Sequence, residues 1–191
     1  MKNNFYITTP IYYVNDKPHI GHAYTTILAD VIARYNRSNA KNIFFLTGLD
    51  EHGQKVQQAA NKRRINPKEH CDQIAPRFTD LWDKLHISND DFIRTTEIRH
   101  VEGVQKILTQ VYNNGDIYKD EYEGLYSISE ERFITEKEAE SGQFRDIKKI
   151  KEKNYFFKMS KYQKPLIDYI NLNPNFIQPI HRKNEILGFL R

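Results

Sequence analysis

The sequence predicts an α/β fold, a parallel sheet with helices on its faces followed by a small antiparallel region. Three observations carry this. Over the first ~115 residues, short β-branched or aromatic runs alternate three times with segments of helical period. Ile43-Phe44-Phe45-Leu46-Thr47 is a continuous apolar run, the pattern of a strand buried on both faces of a parallel sheet. From Asp116 the texture changes to period-two alternation around a glycine.

Taken in order, Phe5 to Thr9 is the first strand candidate, and Pro10 and Pro18 bracket a loop. From Ile20, apolar residues recur at steps of three or four through Tyr24, Ile27, Val31 and Tyr35, with Ala23 and Leu28 on the same face. After the apolar run at Ile43, Gly48 to Gly53 forms a loop rich in glycine and acid. A polar helix follows over about Gln54 to Arg64, and Pro67 starts another that runs toward Leu85. Asp91 to Thr95 is the third strand. Glu97 to Asn113 is an amphipathic helix striped by Val101, Val104, Leu108 and Val111, stopped by Asn114-Gly115. The first domain is therefore 1-115 and the second 116-191. In the second, Ile117-Tyr118-Lys119 and Gly124 to Ile128 read as the arms of a hairpin. Thr135-x-x-Glu138 reads as a capping box, and Lys148 to Lys153 as a solvated edge. Asn154 to Phe157 is a strand, Ser160 caps a helix through Ile170, and His181 to Arg191 begins another.

The composition is that of a chain with a core. Of its 191 residues, 39% are hydrophobic and 13% aromatic, which excludes wholesale disorder. A formal net charge of +4 fits RNA or nucleotide partners without demanding them. One cysteine, Cys71, excludes an intrachain disulfide and a Cys-rich zinc site. No secretory leader precedes Phe5 and no run of about 18 apolar residues occurs, so the chain reads as cytoplasmic.

Chemistry concentrates where the first strand feeds the first helix. His19 and His22 share a helical face, with Gly21 between them. An H-x-x-H pair alone is compatible with an incidental or structural pair, and no third or fourth metal ligand is evident. At a helix start, two imidazoles can donate to phosphate oxygens and stabilise charge at a phosphorus under attack, and Gly21 lets a flat base or ribose approach the backbone. No Walker or G-x-G-x-x-G loop is present. Asp50, at the end of a buried strand, reads either as the holder of an ammonium group or metal-bound water, or as a helix cap or turn acid. Tyr12 and Tyr13 either line an apolar pocket or simply pack.

Longer blocks narrow these alternatives. Thr8-Thr9-Pro10-Ile11-Tyr12-Tyr13-Val14-Asn15-Asp16, followed by Pro18-His19-Ile20-Gly21-His22-Ala23-Tyr24, resembles the start of the methionyl-tRNA synthetases and carries the class I histidine box. Thr47 to Lys55 resembles that family's second block, and Phe92-x-Arg94-Thr95-Thr96-Glu97-x-x-His100 its third. Leu125-Tyr126, Glu131-Arg132-Phe133 and Asn154 to Tyr162 match its connective insertion. The resemblance runs end to end. It implies the first half of a class I synthetase Rossmann-like sheet plus a connective-peptide, acceptor-stem insertion.

The resemblance further implies a methionine–tRNA ligase. His19, Gly21 and His22 would bind ATP, with His19 and His22 catalytic; Ile11, Tyr13 and Asp50 would bind methionine. ATP would come with Mg²⁺, and tRNA(Met) would be the acceptor; neither membrane nor DNA is a partner. Two departures stand out. Many members open a zinc knuckle with Cys-x-x-Cys, where Ser127 and Glu130 stand here, so no zinc is expected. Lys158-Met159-Ser160-Lys161 follows an aromatic strand and leads into a helix, so it belongs to the insertion and is not the family's mobile KMSKS loop. That loop and the anticodon-binding domain would lie in a half absent here. The chain looks truncated, and an inactive or binding-only fragment is the alternative reading.

Overall fold

The computed structural model describes residues 4–130, 132–144 and 146–190. The chain divides into two compact units, 1–106 and 107–191. Glu131 of the insertion motif and Arg191 of the final helix lie outside the described residues.

In the first unit, β3 (Asn42–Asp50) is the central strand of a parallel sheet. β1 (Asn4–Thr8) and then β2 (Tyr12–Tyr13) run along one side of it, and β4 (Asp91–Arg94) along the other. The carbonyls of Leu46 and Asp50 accept from the N–H groups of Thr9 and Val14, while those of Phe45 and Leu49 accept from Asp90 and Thr95. α1 (Ile20–Ser38) joins β1/β2 to β3; α2 (Gln54–Arg63) and α3 (Pro67–Lys84) join β3 to β4. Both crossovers step in the same direction, so a common handedness puts their helices on one face. Phe45 packs on Ala29 and Ala33 of α1, and Leu49 on Val56 of α2 and Ile74, Phe78 and Trp82 of α3. The even-numbered side of β3 is less covered, and Phe44 is 47% exposed beside Tyr6. The expectation of a strand buried on both faces is thus met on one face only.

The register of α1 differs from what apolar period suggests. Its buried residues are Thr26, Ala29, Asp30, Ala33 and Asn36, small or hydrogen-bonded side chains that allow close approach to the sheet. The stripe of Ile20, Tyr24, Ile27, Val31 and Tyr35 points away, with Ile20 88% exposed. Asp30 is buried because Ser88 donates to it through both N–H and Oγ–H (2.7 and 2.6 Å) and Arg34 pairs with it. α4 (Ile98–Asn113) has the expected stripe, yet none of its residues is buried. Gly115 follows it at φ +74°, a left-handed stop that glycine adopts without strain.

The second unit corrects the hairpin reading. β5 (Ile117–Ser127) is one unbroken strand. Its partner is β7 (Ile147–Phe157), antiparallel from Ile117↔Phe157 to Ser127↔Ile147, and β6 (Arg132–Ile134) pairs with its far end. Gly124, expected at a turn, sits in mid-strand, where a Cβ would come 2.7 Å from the Tyr122 ring. The lysine run is half of this ribbon: Lys149 pairs with Glu123 and Lys151 with Glu121 across the strands. The capping box on α5 (Glu136–Glu140) is as expected, with Glu138 accepting from the Thr135 N–H at 2.8 Å. α6 (Met159–Leu172) starts at the K-M-S-K stretch, and α7 (Ile180–Leu190) closes the described chain.

Candidate functional site

The candidate site lies at the carboxyl end of β1/β2, where the chain turns into α1, the corner at which open α/β sheets bind ligands. A cavity of about 730 Å³ opens there, lined by Ile11, Tyr12, Tyr13, His19 and His22 and by the loop Asn15 to Pro18.

His19 is the N-cap of α1. Its Nδ1 accepts from the Gly21 N–H at 3.1 Å, while His22 Nδ1 accepts from the His19 N–H at 3.2 Å. The two histidines thus form a reciprocal capping box, a role usually taken by Ser/Thr and Glu/Gln. Their rings stack with centroids 3.7 Å apart. Because each Nδ1 is an acceptor, each ring carries its proton on Nε2 in the neutral state. Burial, and then the neighbouring His19, hold the His22 pKa below its ordinary 6.5. With both Nδ1 atoms accepting, the pair presents its Nε2 positions as donors at a helix amino end, an arrangement suited to phosphate oxygen.

The support beneath the pair is aromatic. The Tyr12 ring lies 4.7 Å from His22 and stacks on Phe78 at 6.2 Å. Its hydroxyl shares a hydrogen bond with buried Thr26 at 2.8 Å. Of the two readings left open for the tyrosines, both line the cavity; Tyr12 is also buried in the core, while Tyr13 is 40% exposed. A Cβ at Gly21 would come 3.0 Å from the His19 ring, so any larger residue there would make that ring shift. Asp50 is the register partner of Tyr13 and does not line the cavity; its carboxylate accepts from the His52 N–H at 3.2 Å.

Sequence reading passed over the group that holds this end of the sheet. The Glu51 side chain is fully buried. It accepts from Arg94 Nε at 2.6 Å and from the Thr96 hydroxyl, while the Glu51 N–H donates to Thr95 Oγ1 at 2.9 Å. Arg94 continues to Asp72 of α3 at 2.5 Å. The blocks at Thr47 and Phe92 therefore meet in one ion-pair network beside Asp50. An acid and a basic residue at the ends of adjacent buried strands was the available signal. The K-M-S-K stretch lies in the other unit: Lys161 and Tyr162 both bond the Asp116 carboxylate and hold it below its usual pKa range.

Among the described residues, no three His, Cys, Asp or Glu side chains converge as a metal site, and no helix is long and apolar enough to cross a membrane.

Residues 5–144 match the family model described as tRNA synthetases class I (M). The methionine–tRNA ligase of Listeria monocytogenes serovar 1/2a is 50% identical over 203 residues, and that of Clostridium perfringens 52% over 195. These alignments cover 98% and 100% of this chain and 30% of each relative, so the chain spans under a third of their length. The Mycobacterium tuberculosis methionyl-tRNA synthetase, solved in complex with methionyl-adenylate, is similar at TM-score 0.92 and 38% identity, over 98% of this chain and 38% of that one.

Proposed function

The chain belongs to the class I (M) tRNA synthetases, and from that premise we propose that its histidine corner serves the ATP-dependent activation of methionine and its transfer to tRNA(Met). The observation that carries this reading is the stacked His19–His22 pair, whose Nδ1 atoms cap the helix and whose Nε2–H groups remain as donors. In the proposed reaction a methionine carboxylate oxygen attacks the α-phosphorus of ATP. The bond from that phosphorus to the bridging oxygen breaks, pyrophosphate leaves, and methionyl-adenylate forms. His19 and His22 are the catalytic pair. Their donors bind the phosphate oxygens and stabilise the charge that grows there. The backbone at Gly21 completes the ATP site. Ile11 and Tyr13 form part of the methionine pocket, and Asp50, beside Tyr13 in the sheet, holds the methionine ammonium group. Mg²⁺ accompanies ATP as part of the substrate. The 3′ end of tRNA then takes the methionyl group and AMP departs.

No zinc is part of this reading. Ser127 Oγ lies 3.0 Å from Ser129 Oγ and accepts from the Glu130 N–H at 3.4 Å. Position 127 carries a hydroxyl and position 130 a carboxylate, so neither supplies the thiolate that the Cys-x-x-Cys pair would give a structural zinc.

The test is methionine-dependent exchange of pyrophosphate into ATP. It is run on the chain as it stands and on the chain fused to the remainder of the Clostridium perfringens relative. Exchange that is abolished by His22→Ala supports the reading. Absence of exchange in both forms, with the fold intact, overturns it. Exchange in the fused form alone assigns catalysis to the longer protein and leaves this chain a binding role.

A further inference from the structure

Tyr12 ties the histidine corner to the core at three points. Its backbone is paired with Leu49 in the central strand. Its ring lies 4.7 Å from the His22 ring and 6.2 Å from that of Phe78, which is itself 5.5 Å from His22. Its hydroxyl reaches Thr26 Oγ1 at 2.8 Å and the His22 carbonyl at 3.4 Å. Each hydroxyl has one proton to give. With the tyrosine proton on the His22 carbonyl, the Thr26 hydroxyl donates to Tyr12, and both buried oxygens are satisfied. A helical threonine ordinarily donates to the carbonyl four residues back. For Thr26 that carbonyl belongs to His22, and the Tyr12 hydroxyl stands between the two. The rest of the cluster adds no polar tie. Phe78 has no polar side-chain atom, and Trp82 Nε1 is buried with no hydrogen-bond partner among the described residues. Tyr12 and Thr26 are 6% and 0% exposed, so phenylalanine and valine would fill these places without burying a hydroxyl. Packing alone does not account for the pair.

We propose that Tyr12 and Thr26 are positioning residues for the reaction: their hydroxyl pair and the Tyr12 ring fix the first turn of α1 and the His22 ring, so that His22 Nε2 is held toward the cavity. The inference rests on the reading of the histidine corner as an adenylate-forming site and deepens it. His22 is then gripped from both ends. The His19 N–H holds its Nδ1 at 3.2 Å, and Tyr12 holds its carbonyl. Stacking on His19 and contact with Tyr12 set the ring plane that remains. A donor stabilises growing charge best when it is already in place, and a misplacement of about 1 Å can cost about 10²-fold in rate. Tyr12 and Thr26 act through His22 and not on the substrate. Tyr12 and Tyr13 are adjacent in β2, so the strand that carries part of the proposed methionine pocket also carries the support of His22.

The test compares Tyr12→Phe, Thr26→Val and the double variant in the form of the chain that exchanges pyrophosphate. Ile7→Val is the stability control, since Ile7 packs in the other core cluster with Ala29, Ala33 and Phe45. Each hydroxyl variant should lower kcat about tenfold or more and hold KM for methionine and ATP within about twofold. The double variant should lose no more than the weaker single variant, because both break one contact. All four melting temperatures should stay within about 2–4 °C of native, and Ile7→Val should exchange as the native chain does. Proton–nitrogen NMR of the chain as it stands, with His22 neutral, supplies a second arm. The proton should sit on Nε2 in the native chain and be shared between Nε2 and Nδ1 in either hydroxyl variant. Native kcat in both hydroxyl variants, losses that multiply in the double variant, a rise in KM alone, or a kcat loss shared by Ile7→Val overturns the proposal. So does a native tautomer kept in both. If no form exchanges, the methionine reading fails and the NMR arm decides the contact by itself: a shared proton in the variants supports it, and an unchanged tautomer overturns it.

Discussion

His19 and His22 cap one another: the Nδ1 of each takes a backbone N–H at the start of α1, and the rings lie 3.7 Å apart. A single contact therefore sets helix entry, tautomer and the direction of both remaining donors. Structure and chemistry can be separated at this pair. Asn is as good an N-cap as any residue, so His19→Asn should keep stability within about 0.5 kcal/mol of native. It should lower methionine-dependent pyrophosphate exchange about 10²-fold in the exchange-competent form, the cost of one donor aimed at developing charge. His22→Ala should lose exchange and about 1 kcal/mol of stability as well, because the cap partner goes with the ring. Full exchange in His19→Asn would remove that ring from the mechanism.

The lowered pKa of His22 makes a pH prediction. The folded state holds its proton less tightly than the unfolded chain, whose value is 6.5. Between the lowered value and 6.5 the unfolded chain therefore binds more protons, and stability rises with pH through that window. Below the folded value the penalty is complete; above 6.5 it is absent. Proton NMR of the His22 ring should give a midpoint below 6.5. In His19→Asn the midpoint should rise, because a like-charged neighbour is gone, and remain below 6.5, because burial is the larger cause. A native midpoint at or above 6.5 would contradict the reading of His22 as a half-buried donor.

Gly21→Ala isolates the close approach of the His19 ring. The added Cβ would meet that ring at 3.0 Å, and the ring must turn. Alanine in a helix gains roughly 0.5–1 kcal/mol over glycine, so the melting temperature should hold or rise. ATP affinity should fall at the same time, measured by calorimetry. Unchanged ATP affinity would show that His19 can shift without consequence.

Element order was legible in the sequence, and packing was less so. Strand–helix alternation gave the parallel sheet, and three motif blocks gave the histidine corner. The buried face of α1 was not readable from period, because the side that meets the sheet is built of Thr26, Ala29 and Ala33 with a hydrogen-bonded Asp30, while the larger apolar residues point away. Periodicity identifies a helix; the depth of its contact is set by side-chain size. The β5–β7 pairing was missed for a different reason. Its partners are up to 40 residues apart, as Ile117 is from Phe157, and a glycine in mid-strand imitates the turn of a local hairpin. The two-residue strand β2 was hidden inside a proline-bracketed loop.

Metal content gives a direct check on the insertion. Purified chain should carry well below one zinc per molecule by elemental analysis, and EDTA should leave its melting temperature unchanged. One tightly bound zinc per chain would show that Ser127 and Glu130 do not replace the metal-binding pair.

Glu51 and Arg94 bring the second and third blocks together beneath Asp50, and the strength of that contact can be measured. The Glu51 carboxylate has no access to solvent, while Arg94 is 22% exposed. Removing the arginine alone leaves a buried, uncompensated charge, a loss that runs to about 3–5 kcal/mol. Arg94→Met should therefore destabilise the chain strongly in urea denaturation. Adding Glu51→Gln should recover much of the loss, because a neutral amide can still donate or accept toward Thr96 and costs far less to bury. The double-mutant cycle then reports the coupling of the two motif blocks. Additive single losses, with no recovery in the double variant, would mean that Arg94 acts mainly through Asp72 and α3, and that Asp50 owes its position to the strand ladder alone.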